Sequence, residues 1–329
     1  MTERHRPRRL RVLTWHVHGN YLYYLSQAPH DFYLATLPGH PPGHAGKVGV
    51  LPWGANVHEV PADALHGHAF DCVLYQHERH WHDDRLHRLT AAQRALPALY
   101  VEHDPPQGHP TDTRHPAADG GAHIVHVTPF NALMWDNGEA PVSIVDHGVL
   151  LPADACYSGV RPEGIVVVNH LQQRGRRLGA DVFERVRSRV PLQLVGMDSA
   201  RMGGLGEVSN LALPAAMGEY RFFFNPIRYT SLGLAVVEAM MVGLPIVGLA
   251  TTELVTVVRN GVNGYLDTRI DRLVEVMRML VDQPETARRW GAAARETALG
   301  RFGIRRFADD WDRVLTAVCA GVPVPRAAH

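Results

Sequence analysis

One carboxylate, Glu238, sits inside a strongly apolar stretch, Leu234-Ala-Val-Val-Glu238-Ala-Met-Met-Val242. At helical spacing it lies four residues beyond Leu234 and shares a surface with Val237 and Met241. A carboxylate is costly to bury unless hydrogen-bond donors meet it. Two vicinal hydroxyls of a ribose would meet it; solvent or an arginine would also do so, and the helix alone leaves these readings open. Thr230 and Ser231 just ahead are N-cap candidates. The backbone N–H groups of the helix start, Ser231 to Leu234, suit a phosphate. Upstream, Arg174, Arg176 and Arg177 stand together. A guanidinium fork fits phosphate oxygens, and such charge would stabilise a phosphate leaving group. A solvated basic face is the plainer alternative.

Histidines offer a second set. His103 ends an apolar run, at the rim where open α/β sheets bind ligands, and its ring can donate to a sugar hydroxyl. Gly19 lies in the first strand-to-helix turn, His16-Val-His18-Gly19-Asn20, where backbone can approach a phosphate or an acceptor. His77-Glu-Arg-His80-Trp81-His82 is dense but misses the H-E-x-x-H zinc spacing, because Trp81 holds the second His position. It reads as a charged acceptor-binding loop. Asp310-Trp-Asp312 has D-x-D spacing, yet falls within an amphipathic helix and reads as surface.

These groups need a frame. Phe222–Phe224, closed by Asn225 and Pro226, predicts a buried parallel strand. A loop over 226–232 and a helix from about Gly233 to Val242 follow. Gly243 stops that helix in the left-handed conformation and Pro245 prevents continuation. Ile246–Leu249 is the next strand. Earlier strands are expected at 10–15, 31–35, 71–75, 98–101, 123–128 and 143–148, and later ones at 164–168 and 192–195. Helices are expected around 84–94, 177–189, 212–217, 271–281, 284–299 and 302–318. A loop is expected over 169–175, and an interdomain linker over 149–164. Strands alternating with helices predict an α/β architecture with parallel sheets.

The chain has 329 residues, room for two domains. Lys+Arg and Asp+Glu are both 33, so overall charge gives no case for nucleic-acid binding. Arg4, Arg6, Arg8, Arg9 and Arg11 make the N-terminus locally basic. They read as a solvated tail, or as a weak peripheral contact with an anionic inner membrane face. Cys72, Cys156 and Cys319 are odd in number and far apart, as expected of reduced thiols in a cytoplasmic protein. No signal peptide, bilayer-spanning segment or internal repeat is expected.

Gly233, Leu234, Glu238, Ala239, Met240, Gly243 and Pro245, followed by Asn260-Gly261 and Gly264-Tyr265-Leu266, resemble the C-terminal domain of the retaining GT-B glycosyltransferases of glycosyltransferase family 4. The family signature reads roughly E-G-F-G-L-x-x-x-E-A-M-A-x-G-x-P-V-V. Glu238 matches its second Glu, and its first falls on Thr230. Glu253 sits where the family often has a Glu after a Gly-rich turn, here occupied by Thr251 and Thr252. Val166-Val-Val-Asn169-His170-Leu-Gln-Gln-Arg174-Gly175 resembles the family strand and V-G-R-L…K-G loop. Arg174 stands near the family Lys, and Asn169-His170 replaces Gly-Arg.

The resemblance implies a GT-B fold, α/β, with two Rossmann-like domains facing across a cleft. Residues 1–150 would form an acceptor domain, joined by the last helix at about 302–318. Residues 165–301 would form the nucleotide-sugar-binding domain. The implied activity is retaining, metal-independent transfer from a nucleotide sugar to an acceptor hydroxyl, in glycan or glycoconjugate biosynthesis. His103, Arg174 and Glu238 would be catalytic. Gly19, Arg174, Arg177, Thr230, Ser231, Leu232, Gly233, Leu234 and Glu238 would bind the donor. No cofactor, metal or nucleic acid is expected. The acceptor would be a glycan, a lipid-linked glycan or a small molecule. A non-hydrolysing sugar-nucleotide epimerase shares the fold, and a catalytically silent nucleotide-sugar-binding protein is the other alternative.

Overall fold

The computed structural model describes residues 8–17, 19–48 and 50–325. Arg4, Arg6 and His18 lie outside the described residues. The chain divides into two compact units, Met1–Gly148 with Ile304–His329, and Val149–Gly303.

The first unit is built on seven strands: β1 Arg11–Thr14, β2 Asp31–Thr36, β3 Val57–Pro61, β4 Cys72–Tyr75, β5 Ala98–Glu102, β6 His123–His126 and β7 Val142–Ile144. Their order is β3-β2-β1-β4-β5-β6-β7, and every neighbouring pair is parallel. β3 is absent from the sequence expectation. It is an edge strand carrying His58 and Glu59 and ending on Pro61, a pattern that blunts an edge and hides the apolar signal. Leu13, Val73, Tyr75, Tyr100 and Ile124 fill the core.

The Ile304–Cys319 helix groups with this unit and buries Phe307, Trp311, Val314 and Leu315. Phe302 ends the preceding helix, Pro284–Phe302, rather than opening this one. Arg306 donates to the Asp146 carbonyl at 2.9 Å and pairs with Asp310 at 2.6 Å. Asp312 lies 3.1 Å from the buried His30 Nε2. The D-x-D pair is therefore engaged in side-chain pairing, not simply solvated. Two charges of the basic N-terminus are engaged too: Arg8 pairs with Asp71 and Arg9 with Asp31.

The expected 84–94 helix is broken. A π-helical turn, His80–Asp84, runs into Arg85–His87. A separate turn, Ala91–Arg94, restarts behind Thr90, which forms a reciprocal capping box with Gln93.

The second unit carries five strands: β8 Arg161–Val167, β9 Leu192–Val195, β10 Tyr220–Asn225, β11 Ile246–Leu249 and β12 Gly264–Asp267. The order is β12-β11-β10-β8-β9, again parallel throughout. β8 begins inside the expected linker, so the connecting segment ends by residue 160. β10 is central and buried along its whole length. Phe222 and Phe224 join Val166, Val182, Phe183, Leu273 and Met277 in one core, each full burial contributing about 1.5–3 kcal/mol. No helix among the described residues is long and apolar enough to cross a membrane.

Candidate functional site

In the second unit the predicted donor residues gather at the C-terminal ends of β8 and β10, which are adjacent strands. That edge is where parallel sheets bind ligands. Past β8 the expected loop over 169–175 is partly helical. His170 takes a left-handed conformation, with its Nδ1 2.6 Å from Asp198 Oδ2, and a helical stretch then covers Leu171–Leu178. Gly175, at φ +56°, kinks that stretch. Gly179, at φ +82°, starts the Ala180–Arg187 helix. A Cβ at Gly179 would collide with the Pro226 carbonyl, so glycine permits this segment to lie against the loop after β10.

Backbone and charge lock the two segments together. The N–H groups of Arg228 and Tyr229 donate to the Arg177 carbonyl at 3.0 and 3.3 Å. Arg228 grips both Asp181 oxygens, at 2.6 and 2.8 Å, and Arg176 adds a contact at 2.8 Å. These contacts, led by the Arg228 hydrogen bond, hold the Asp181 carboxyl below its usual range. Arg176 is thus occupied with Asp181. Arg174 projects from the exposed side of the turn, and Arg177 is half-buried.

The 226–233 loop is tied down from the other side as well. Thr251 Oγ1 donates to the Ile227 carbonyl at 3.1 Å, and Thr252 Oγ1 to the Ser231 carbonyl at 3.4 Å. Neither Thr230 nor Ser231 caps the helix. Ser231 Oγ instead accepts from Leu232 N at 2.7 Å. The N-cap is Gly233, at φ +83°, and no side chain caps it. The helix, Leu234–Val242, therefore opens behind a residue that has no side chain to cap its first backbone N–H groups. Its end is as expected: Gly243, at φ +105°, donates to the Ala239 and Met240 carbonyls.

Glu238 is buried, at 4% exposure, in the middle of that helix. A solvated carboxylate is excluded. Glu253, after β11, is also buried. It accepts from Thr256 Oγ1 at 2.6 Å and from Arg301 at 3.0 Å. Arg301, some distance on in the Pro284–Phe302 helix, gave no sequence signal as its partner.

In the first unit, Gly19 opens the helix Gly19–Leu25, and a Cβ there would meet nothing within 4 Å. The ring nitrogens of His16 approach the Gly46 and Gly19 carbonyls, at 2.6 and 3.1 Å. His103 follows β5. Its Nε2 lies 3.3 Å from Gln76 Oε1, and its ring meets Tyr21 edge-on at 4.5 Å. Gln76, which sequence reasoning missed, is buried and donates to Thr14 Oγ1 and the Trp15 carbonyl. It joins the ends of β1, β4 and β5. Glu102 was missed too. Burial pushes its carboxyl up to about 8, with His115 Nε2 at 3.2 Å and Asp104 N–H donating at 2.9 Å. The 77–82 segment divides: His77, Glu78, Arg79 and His82 are exposed, while His80 and Trp81 point inward.

The sequence profile of the glycosyl transferases group 1 matches residues 200–297, inside the second unit. The chain is 25% identical over 331 residues to D-inositol 3-phosphate glycosyltransferase 1 of Catenulispora acidiphila, covering 80% of this chain and 76% of that protein. Sucrose-phosphate synthase from Thermosynechococcus elongatus matches in structure with a TM-score of 0.71 at 14% identity, over 95% of this chain and 100% of that one. Anabaena HepE in complex with UDP-glucose matches with a TM-score of 0.67 at 14% identity, over 94% and 100%. The fold is GT-B. Within this GT-B chain, the profile match spans Thr230–Leu234, Glu238 and Glu253, while Gly19, His103, Arg174 and Arg177 lie outside it.

Proposed function

We propose that this protein transfers a glycosyl group from a nucleotide sugar to an acceptor hydroxyl, with retention and without a metal. The observation that carries the reading is the burial of Glu238 on the helix behind the clamped 226–233 loop, within the stretch that matches glycosyl transferases group 1. Glu238 accepts the ribose hydroxyls. Arg174 and Arg177, with the N–H groups from Ser231 to Leu234, take the diphosphate. Thr230 and Leu232 face the sugar. HepE was solved with UDP-glucose, which makes UDP-sugars the first donors to try. The first unit takes the acceptor through Gly19, His103 and the exposed members of the 77–82 segment.

In the proposed step the bond from the anomeric carbon to the diphosphate oxygen breaks as the acceptor oxygen approaches the same face. The departing phosphate oxygen receives the acceptor proton. Glu253 is tied to Arg301 and Thr256, which favours a route without a carboxylate nucleophile.

Nucleotide release from UDP-, GDP-, ADP- and dTDP-sugars, with and without acceptor, tests the reading. Acceptor-dependent release is expected. Epimer formation without acceptor would instead identify an epimerase, and tight binding with neither a silent binding protein. Glu238→Ala is expected to weaken nucleotide-sugar binding by about 10–100-fold, the loss of hydrogen bonds to a charged group. Unchanged affinity by calorimetry would remove the ribose assignment.

A further inference from the structure

The first unit holds a buried group that the transfer chemistry leaves unused. His80 and Asp84 lie on the π-helical turn after β4, a form of winding often found at functional sites. His44 arrives from the loop after β2. The three are 1%, 4% and 0% exposed. One donor atom from each lies within 4.8 Å of the others. His44 Nε2 is 3.0 Å and His80 Nε2 3.8 Å from Asp84 Oδ2. A tetrahedral zinc ion with bonds of about 2.0–2.1 Å sets its ligand atoms roughly 3.3–3.4 Å apart, and the two distances bracket that value. Among the described residues, neither ring nitrogen of His44 nor Asp84 Oδ2 has an aligned hydrogen bond. Unaligned polar atoms at such depth are costly, and a cation between them would take His44 Nε2 and Asp84 Oδ2, which lie 3.0 Å apart.

We infer that His44, His80 and Asp84 hold one divalent transition-metal ion through three protein ligands, with a water in the fourth position and zinc the best match. Two imidazoles and a carboxylate are a zinc donor set. Arg88 Nε donates to the other Asp84 oxygen at 2.8 Å and fixes its orientation. Trp15 stacks on the His80 ring at 4.9 Å. Gly43, at φ +87°, leaves room for that ring, since a Cβ would come within 3.0 Å of His80 Nε2. The ion pins the loop around His44 to the C-terminal edge of the sheet. That loop also supplies the Gly46 carbonyl to His16. The inference stands apart from the transfer reading, because it concerns the build of the first unit and not its chemistry. It also amends the expectation of no metal, which the spacing of His77–His82 alone had suggested.

The test is metal content of the full-length protein, produced with zinc present and passed over a chelating resin. Wild type, and a His66→Ala/His109→Ala control at exposed histidines, should retain about one equivalent by mass spectrometry. His44→Ala and Asp84→Asn should each retain less than about a tenth of that. Should the variants fail to fold, wild type decides alone. Stripped protein must gain thermal stability with added zinc and show a tetrahedral absorption band with cobalt. Wild type without retained metal or a zinc-dependent rise in Tm overturns the site. So does unchanged zinc retention in folded His44→Ala and Asp84→Asn.

Discussion

The two units share a parallel α/β architecture but build their C-terminal rims by opposite means. In the second unit the rim is clamped largely through backbone groups, with Arg228, Thr251 and Thr252 side chains reinforcing it. Arg177 and Ser231 present carbonyls to neighbouring segments, and Gly175, Gly179 and Gly233 take left-handed or otherwise glycine-favouring conformations. In the first unit the rim is a side-chain assembly, with His16, Tyr21, Gln76, Glu102, His103 and His115 drawn from strand ends, a helix and a loop. A backbone clamp needs glycines and prolines at fixed spacings, and it suits a ligand part that never varies. A side-chain assembly can be altered one residue at a time, as the proposed acceptor role would require when acceptors differ.

The sharpest way to break this contrast is at Gly179. A valine there meets both a disfavoured φ and the Pro226 carbonyl. Gly179→Val is expected to cost about 3 kcal/mol or more and to abolish nucleotide binding through the displaced 226–233 loop. Hydrogen exchange should show lost protection in β8 and β10 while β1 and β4 stay protected. Uniform loss across both units would show that the clamp is not local.

This contrast also explains what could be read from the sequence. β10 and the Gly243 stop were legible because each is written in adjacent residues, whereas the burial of Glu238 was left open by the helix alone. The helix start at about Gly233 was legible too, but its cap was misassigned, because Thr230 and Ser231 have cap chemistry while the positive φ belongs to Gly233. β3 was missed because its polar residues and Pro61 suit an edge. Gln76, the Glu102–His115 pair, the Glu253–Arg301 pair and the His44–His80–Asp84 group were missed for a different reason. Their partners come from distant segments, and no spacing rule connects them.

The second expected effect is a pH profile confined to the first unit. Burial lowers His115 and His126 to about 4, and raises Glu102 to about 8. Between about pH 4.5 and 6.5 the unfolded chain gains a proton on each histidine, while the native state keeps one on Glu102. From these three groups alone the unfolded state binds one more proton, and the lowered His30 and His123 add to that excess, so stability rises with pH. From about 6.5 to 8 the histidines are neutral in both states and only native Glu102 holds a proton. Stability then falls. The first unit should be most stable near pH 6.5, losing upward of about 2 kcal/mol by pH 4.5. The Asp181 and Asp271 shifts of the second unit are downward and act only below the ordinary carboxylate range. Calorimetry with exchange mapping from pH 4.5 to 8 should show the first unit opening first at acid pH. A profile that Glu102→Gln leaves unchanged above pH 6.5 would reject the assignment.

A smaller effect probes the sugar end of the second unit. Thr230 is half-buried within the clamped loop, and its substitution by Glu tests the proposed contact with the sugar. Thr230→Glu should change relative kcat/KM among UDP-sugars by about tenfold, near 1.4 kcal/mol, with UDP affinity unchanged. An equal change for every sugar would mean that residue 230 tunes the loop and does not read the donor.

The smallest effect is at Gly19, the counterpart of Gly179 in the first unit. A Cβ at Gly19 meets nothing, and the residue lies within a helix without a left-handed φ. Gly19→Ala should therefore be neutral or stabilising, by up to about 1 kcal/mol. If the open space beside Gly19 belongs to a ligand, turnover must drop while Tm holds or rises, a split that a packing role cannot produce. If Tm falls, Gly19 serves the fold. If both Tm and turnover are unchanged, the space is solvent, and the rim of the first unit has to be mapped from His103 alone.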